Sequence, residues 1–176
     1  MLYRDDLLSR LDHLDEVASL MFDEDQRFRM ILVGGASLVL LEYIVRATHD
    51  IDALSAPREL FKLLKEYNID TRVSAYIDSF PYSYEDRLVL LDVGGRRIQY
   101  YCTSLEDTVI AKLHGMRPND VQDITNENVL EAIDWNLLKQ LRDEMRLSTL
   151  GEDSESYKAF LYAYDRYVEE YEPCEN

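Results

Sequence analysis

Cysteine is scarce in this chain of 176 residues: it has two, Cys102 and Cys174, too few and too far apart for a disulfide scaffold or a metal-cysteine motif. Free thiols in a cytoplasmic protein are the expectation. Four prolines and six glycines exclude collagen-like and low-complexity architectures. No apolar run reaches the length of a membrane span, so no membrane partner is expected. The first residues, MLYRDDLLSRLDHLDE, lack the basic n-region and unbroken apolar h-region of a secretory signal. Basic residues are outnumbered, 19 Lys and Arg against 35 Asp and Glu for a formal charge of −16. Such a balance argues against a surface that coats nucleic acid or anionic membrane.

What is present is an ordinary globular mixture, 47% hydrophobic and 31% charged, in a length suited to one domain with at most a small helical appendage. The negative charge is uneven. Residues 1–26 carry two bases and eight acids, residues 27–117 carry twelve of each, and residues 118–176 carry five bases and fifteen acids. A polyanion such as a nucleoside triphosphate is therefore easiest to place in the balanced middle segment, between acidic flanks.

Leu7, Leu11, Leu14, Ala18 and Met21 recur at helical spacing, with Asp12, Asp15 and Glu16 expected to face solvent. Met30 to Val33 is a short apolar run that ends in Gly34-Gly35. Ser37 to Val45 then reads as a helix, giving a strand, tight turn and helix. Ile51 to Leu54 reads as a strand, and Pro57 to Tyr67 as a helix with Leu60, Phe61 and Leu64 inward. Residues 75–84 are aromatic, are broken by Pro81 and read mostly as loop. Packing is the expected use of their rings, with base stacking as the alternative. Leu88 to Val93 and Arg97 to Cys102 flank Gly94-Gly95, a pattern for a two-residue β-hairpin turn. Helices follow: from Ser104 as cap through Met116, then 119–124, 128–133, 136–145 and 154–171. The Tyr157, Phe160, Leu161, Tyr164, Tyr167, Val168 and Tyr171 stripe of the last helix reads as core rather than as a nucleic-acid platform.

The chemistry concentrates in Gly34-Gly35-Ala36-Ser37 and Arg46-Ala47-Thr48-His49-Asp50-Ile51-Asp52. Alternate strand residues share a face, so Asp50 and Asp52 would point together, about 7 Å apart along the strand. Two such carboxylates can bridge the divalent ions of a phosphoryl-transfer site. The Gly-Gly turn leaves backbone N–H groups for phosphates, and Ser37 adds a hydroxyl. Lys112 is a compact cation that can pair with a triphosphate, against the solvated lysine that is the usual alternative. Asp120 and Asp123 share a helix face, where capping after Pro118 or pairing with Arg117 are equally open.

Gly34-Gly35-x-Ser37 followed by Arg46-x-Thr48-x-Asp50-Ile51-Asp52 resembles the signature of the DNA polymerase β-like nucleotidyltransferase superfamily. Leu105-Glu106-Asp107-x-x-x-Ala111-Lys112-Leu113 and Arg117-x-x-Asp120-x-x-Asp123-Ile124 resemble the closing motifs of its AbiEii and MenT-like branch. The resemblance spans residues 33–124. It implies an α/β (α+β) fold with a mixed β-sheet core, an N-terminal helix and a C-terminal helical layer. Residues 1–124 would form that core and residues 125–176 a helical extension packed on it.

The resemblance also implies transfer of a nucleoside monophosphate from an NTP co-substrate with Mg²⁺ or Mn²⁺. Asp50 and Asp52 would bind metal. Gly34, Gly35 and Ser37 would hold phosphates, Arg46 and Thr48 would complete the nucleotide site, and Lys112 and Asp120 would match the functional residues of the later motif. The acceptor would be a hydroxyl group, with tRNA or another RNA as candidates and a toxin paired with a cognate antitoxin protein as the setting.

One departure stands out. Many members carry a third carboxylate on a neighbouring strand, whereas Ile98 to Cys102 has no acid and Asp92 is the nearest candidate. Asp92 would also sit opposite Arg97 in a two-residue hairpin, where an ion pair explains it equally well. A catalytically weak or inactive nucleotide-binding module of the same fold is therefore the alternative. A nuclease could reuse the carboxylates and Lys112 but would have no need of the Gly-Gly turn.

Overall fold

A computed structural model of the chain describes residues 2–148, 151 and 153–173. Cys174, one of the two expected free thiols, lies outside them. The chain divides into two compact units, Met1–Ile77 with Arg87–Thr103, and Asp78–Asp86 with Ser104–Asn176.

The first unit carries helix α1 (Arg4–Met21) and, among the described residues, one five-stranded mixed sheet. Its strands are β1 (Phe28–Val33), β2 (Ile51–Ser55), β3 (Ile69–Asp70), β4 (Val89–Gly94) and β5 (Ile98–Cys102), in the order β3-β2-β1-β5-β4. β1 is central, parallel to β5 and antiparallel to β2. It reads as a nearly continuous apolar run, and five of its six residues are buried, as a strand covered on both faces requires. Helix α1 packs on β4, with Leu7, Leu11, Leu14 and Ala18 fully buried as their spacing requires, while Met21 is exposed.

Asp15 is the departure from the expected solvent face. It is fully buried, and its carboxylate accepts hydrogen bonds from the backbone N–H groups of Arg96 (2.8 Å), Arg97 (2.7 Å) and Ile98 (2.6 Å). A buried charge requires such compensation. The same contact reshapes the expected hairpin. Gly94 and Gly95 do adopt positive φ, +73° and +92°. The last strand pair, however, is Gly94 with Gln99, and Gly95 N–H closes onto the Ile98 carbonyl at 2.9 Å. The turn is longer than two residues because its N–H groups converge on Asp15.

Helix α2 runs Gly34–Leu40, starting earlier and ending sooner than the apolar pattern suggested. Glu42 at φ +68° reverses the chain, which leaves Val45 exposed. A 3₁₀ turn (Arg58–Leu60) leads into α3 (Phe61–Glu66). Leu60, Leu63 and Leu64 are buried there, and Phe61, expected inward, is 46% exposed. The helix ends at Asn68 in the left-handed region, φ +58°, and β3 follows at once.

The aromatic stretch is 3₁₀ helix rather than loop for much of its length, at Arg72–Ser79 and Tyr84–Arg87. In the first unit Tyr76 is 67% exposed. In the second, Phe80 and Tyr84 are buried with ring centroids 5.7 Å apart, while Tyr82 is exposed.

The second unit is helical over its described residues: α4 (Leu105–Gly115), α5 (Pro118–Ile124), α6 (Glu127–Ala132), α7 (Trp135–Ser148) and α8 (Glu155–Tyr171). Ser104 caps α4 by accepting from Asp107 N–H at 3.1 Å, and Ser154 caps α8 by accepting from Tyr157 N–H at 3.1 Å. α4 packs against α5, α7 and α8. Tyr157, Phe160, Tyr164 and Tyr167 are buried, as the core reading of the stripe requires, while Leu161, Val168 and Tyr171 are only partly covered. No helix among the described residues is long and apolar enough to cross a membrane.

Asp15→Ala would leave three backbone donors of the β4–β5 turn without their acceptor. A loss of about 3 kcal/mol is expected, read as a lower urea midpoint by circular dichroism, with Asp12→Ala on the more exposed side of α1 as the near-neutral control.

Candidate functional site

The end of β1 brings part of the predicted constellation together. Val33 pairs with Asp52 across the antiparallel β1–β2 ladder, and Gly34 follows at φ +73°. A Cβ at Gly34 would come within 3.1 Å of Asp52 Oδ2, so the absent side chain leaves room for the carboxylate over the turn. A Cβ at Gly35 would run into the guanidinium of Arg46, whose Nη1 also donates to the Ala47 carbonyl at 3.3 Å. Gly34, Gly35, Arg46 and Asp52 therefore form one cluster of carboxylate, guanidinium and bare backbone.

The remaining residues of the motif play different parts. Asp50 is exposed and precedes β2, which begins at Ile51, so only Asp52 of the two carboxylates is held in the strand. Thr48 supports the loop that carries Asp50. Its backbone N–H and carbonyl pair with Leu2 at 2.9 and 2.8 Å, and its hydroxyl donates to the Asp50 carbonyl at 3.2 Å. Ser37 is fully buried on α2 beside the Cys102 thiol, so its hydroxyl is not presented at the turn. Burial pushes that thiol up to about 12, against a smaller opposing effect of the Ser37 hydroxyl.

Asp70 is the residue that sequence reasoning missed. β2 and β3 are parallel with Asp52 beside Asp70, which puts both carboxylates on one face of the sheet. Arg72 Nε donates to both Asp70 oxygens at 3.0 Å, and Arg72 N–H donates to Oδ1 at 2.8 Å. These bonds hold the Asp70 carboxyl below the usual range. A strand of two residues leaves no alternation to read, and the only local signal was Asn68, a helix-ending residue one position before Ile69-Asp70.

Asp92, the candidate from sequence, is on β4, with β5 and β1 between it and β2, three strand spacings or about 14 Å. Its expected pairing with Arg97 is also corrected. Arg97 gives its backbone N–H to Asp15 and its Nε to the Phe22 carbonyl at 3.4 Å.

The later motif folds into a cluster in the second unit. Lys112 is buried, neither a solvated lysine nor an open cation, and its Nζ lies 2.9 Å from both Asp120 Oδ1 and Asp123 Oδ2. Asp120 Oδ2 also takes Arg117 Nε at 2.7 Å and Arg117 N–H at 3.2 Å, so the helix-start and ion-pair readings hold together. Gly115 permits the approach, since a Cβ there would lie 3.0 Å from Asp120 Oδ2. Burial pushes the Asp120 carboxyl up, but hydrogen bonds and charge from Arg117 and Lys112 outweigh it and hold the group below its ordinary value. The two cations and two anions balance, as a buried cluster requires.

Among the described residues no group of three or more His, Cys, Asp or Glu is arranged to hold a metal ion. At the end of β1 the structure places the Asp52 carboxylate, with Asp50 exposed two residues before it. Hard carboxylate oxygens beside a cradle that a Cβ would fill suit Mg²⁺ or Mn²⁺, which take one or two carboxylates and complete their shell with substrate phosphates and water.

The chain belongs to the family described as nucleotidyltransferase of unknown function (DUF6036), whose model matches residues 9–172. Neither a curated protein nor a solved structure matches it. Family membership places the chain with the transferases at a coarse level, and its mixed sheet with flanking helices accords with a nucleotidyltransferase-type fold.

Lys112→Met would leave two buried carboxylates without their shared cation, at an expected cost of about 3–5 kcal/mol measurable by thermal denaturation. Asp120 has a lowered folded pKa, so its stabilisation is present above the unfolded carboxylate value and is lost as pH falls through the folded one. Asp120→Asn should therefore flatten the loss of stability with falling pH below about pH 4, seen in melting temperatures taken across an acid series.

Proposed function

We propose, on the premise of that family membership, that the chain transfers a nucleoside monophosphate from an NTP to a hydroxyl acceptor with Mg²⁺ or Mn²⁺, at the turn that follows β1. The observation that supports this reading is the approach of Asp52 Oδ2 to the Cβ-free Gly34, with Arg46 against Gly35. Asp50 and Asp52 would hold the metal, which when bound screens the phosphate charge and polarises the group to be transferred. The glycines leave backbone open to an anion. Arg46 supplies a guanidinium for phosphoryl oxygens, a charge-assisted and directional contact. The acceptor oxygen bonds to the α-phosphorus as the bond to pyrophosphate breaks. Pyrophosphate leaves with the electron pair, and the acceptor proton passes to solvent.

RNA, with tRNA foremost, is the acceptor this reading favours, and a toxin held by a cognate antitoxin is its setting. The AbiEii and MenT-like order of the motifs through Lys112 and Asp120 supports both. A second reading, a nucleotide-binding module without transfer, is favoured by the engagement of Lys112 with Asp120 and Asp123.

The test incubates the purified protein with Mg²⁺ or Mn²⁺, each α-labelled NTP in turn, and total RNA, protein extract or no acceptor. Label is expected on one macromolecular class, lost in Asp50→Asn and Asp52→Asn and strongly reduced in Gly34→Ala, whose side chain would meet both the positive φ and Asp52. Transfer that survives both carboxylate changes would refute the site. Nucleotide binding with no label in any reaction would favour the second reading.

A further inference from the structure

The segment Arg72–Ser79 contains no buried residue. It nevertheless displays two large apolar side chains, Tyr76 at 67% and Ile77 at 47% exposure. Burial of such a ring is worth about 1.5–3 kcal/mol, so an exposed one on an ordered 3₁₀ turn contributes little to folding. Its position bears on the site just described. The segment begins two residues after Asp70, and Asp70 lies beside Asp52 in the β2–β3 ladder.

Arg72 ties the two together. Its Nε and Nη2 clasp the Asp70 carboxylate, yet 90% of its side chain remains open to solvent. Asp70 in turn is paired with Asp52, and Tyr76 lies four residues beyond Arg72, at the kink of the same segment. A guanidinium anchored at the end of β3 and an exposed aromatic ring four residues further along therefore follow directly on the carboxylate row. A nucleoside triphosphate combines the two groups that such a pair recognises. Its phosphates take charge-assisted hydrogen bonds from a guanidinium, and its base offers a π-face to an exposed aromatic ring.

We propose that Arg72 and Tyr76 form the nucleoside side of the site, with Tyr76 stacking the base of the incoming NTP and Arg72 contacting its phosphates. This rests on the nucleotidyl-transfer reading. Stacking on one ring has no hydrogen-bond readout of base edges, so the four NTPs should all depend on Tyr76. The aromatic ring, rather than its hydroxyl, carries the effect.

The experiment measures equilibrium binding to the full chain by calorimetry, with Mg²⁺ present and no acceptor. The probes are ATP, GTP, CTP and UTP, each in turn, and inorganic tripolyphosphate as the base-free control. Tyr76→Ala is expected to weaken every NTP by about fivefold or more, the low end of base–aromatic stacking, and to leave tripolyphosphate unchanged. Tyr76→Phe should bind as the wild type does. Arg72→Gln should weaken NTPs and tripolyphosphate alike. Tyr76 is exposed, so its variants are expected to fold, and unchanged melting temperatures would verify it. If the wild type binds NTPs and Tyr76→Ala binds them equally well, the stacking assignment is overturned while the transferase reading stands. The same holds for the phosphate contact if Arg72→Gln binds tripolyphosphate as the wild type does. If the wild type binds neither NTPs nor tripolyphosphate, both the assignment and the nucleotidyl-transfer reading fall.

Discussion

Val33 pairs with Asp52 in the β1–β2 ladder, and the candidate site follows from that register. β1 is the central strand, so its own position is set by β5 on one side and β2 on the other. The irregularity between Ile31 and Leu32 adjusts the pairing so that Asp52 arrives where β1 gives way to Gly34. A slip of one residue would turn Asp52 to the opposite face and bring apolar Ile51 or Ala53 to the turn instead. The same register carries the carboxylate row outward to Asp70, because β3 pairs in parallel with β2 at Asp52. Glycine at position 34 is then a consequence of the pairing, since its Cβ would compete with Asp52 Oδ2 for space.

Each unit also contains a buried charge, and the two are satisfied in different ways. Asp15 has three backbone N–H groups as close partners, reinforced by Arg96 Nη1 at 3.5 Å. It therefore acts as a bolt between α1 and the β4–β5 turn, far stronger in geometry than an exposed ion pair. Lys112 is held by two carboxylates, one of them shared with Arg117. Such clusters cost more when broken than they contribute when formed, and this one links α4 to α5. The residue that resembles a catalytic lysine by motif is thus, in its own unit, paired with two carboxylates.

Much of the fold was legible because its signals are local and periodic. The Leu7, Leu11, Leu14 and Ala18 stripe, the Ser104 and Ser154 caps, the positive-φ glycines at 94 and 95, and the aromatic face of α8 all depend on spacings within a few residues. The turn glycines, Arg46 and Asp52 were legible by motif, and the structure brings them into contact. What escaped was non-local. Asp15 read as a solvent-facing acid because nothing near it in sequence reveals the N–H groups of residues 96–98. Asp70 escaped because its strand is two residues long and exists only through its pairing with β2. Phe61 is exposed and Leu63 buried because a 3₁₀ turn before α3 rotates the helical face relative to a continuous α-helical count.

The sequence by itself determined most of the element types, the acidic flanks around a neutral middle, and the grouping of glycines and acids around the end of β1. Propensity, capping and hydrophobic period act over one or two turns of chain and can be read there. Only the tertiary structure decided which charges are spent on holding the fold and which stand open. Asp15 and Lys112 are buried among partners, whereas Asp50 and Tyr76 are exposed and Arg72 leaves most of its side chain in solvent. Burial and partnership depend on groups tens of residues away, brought together by strand register and helix packing.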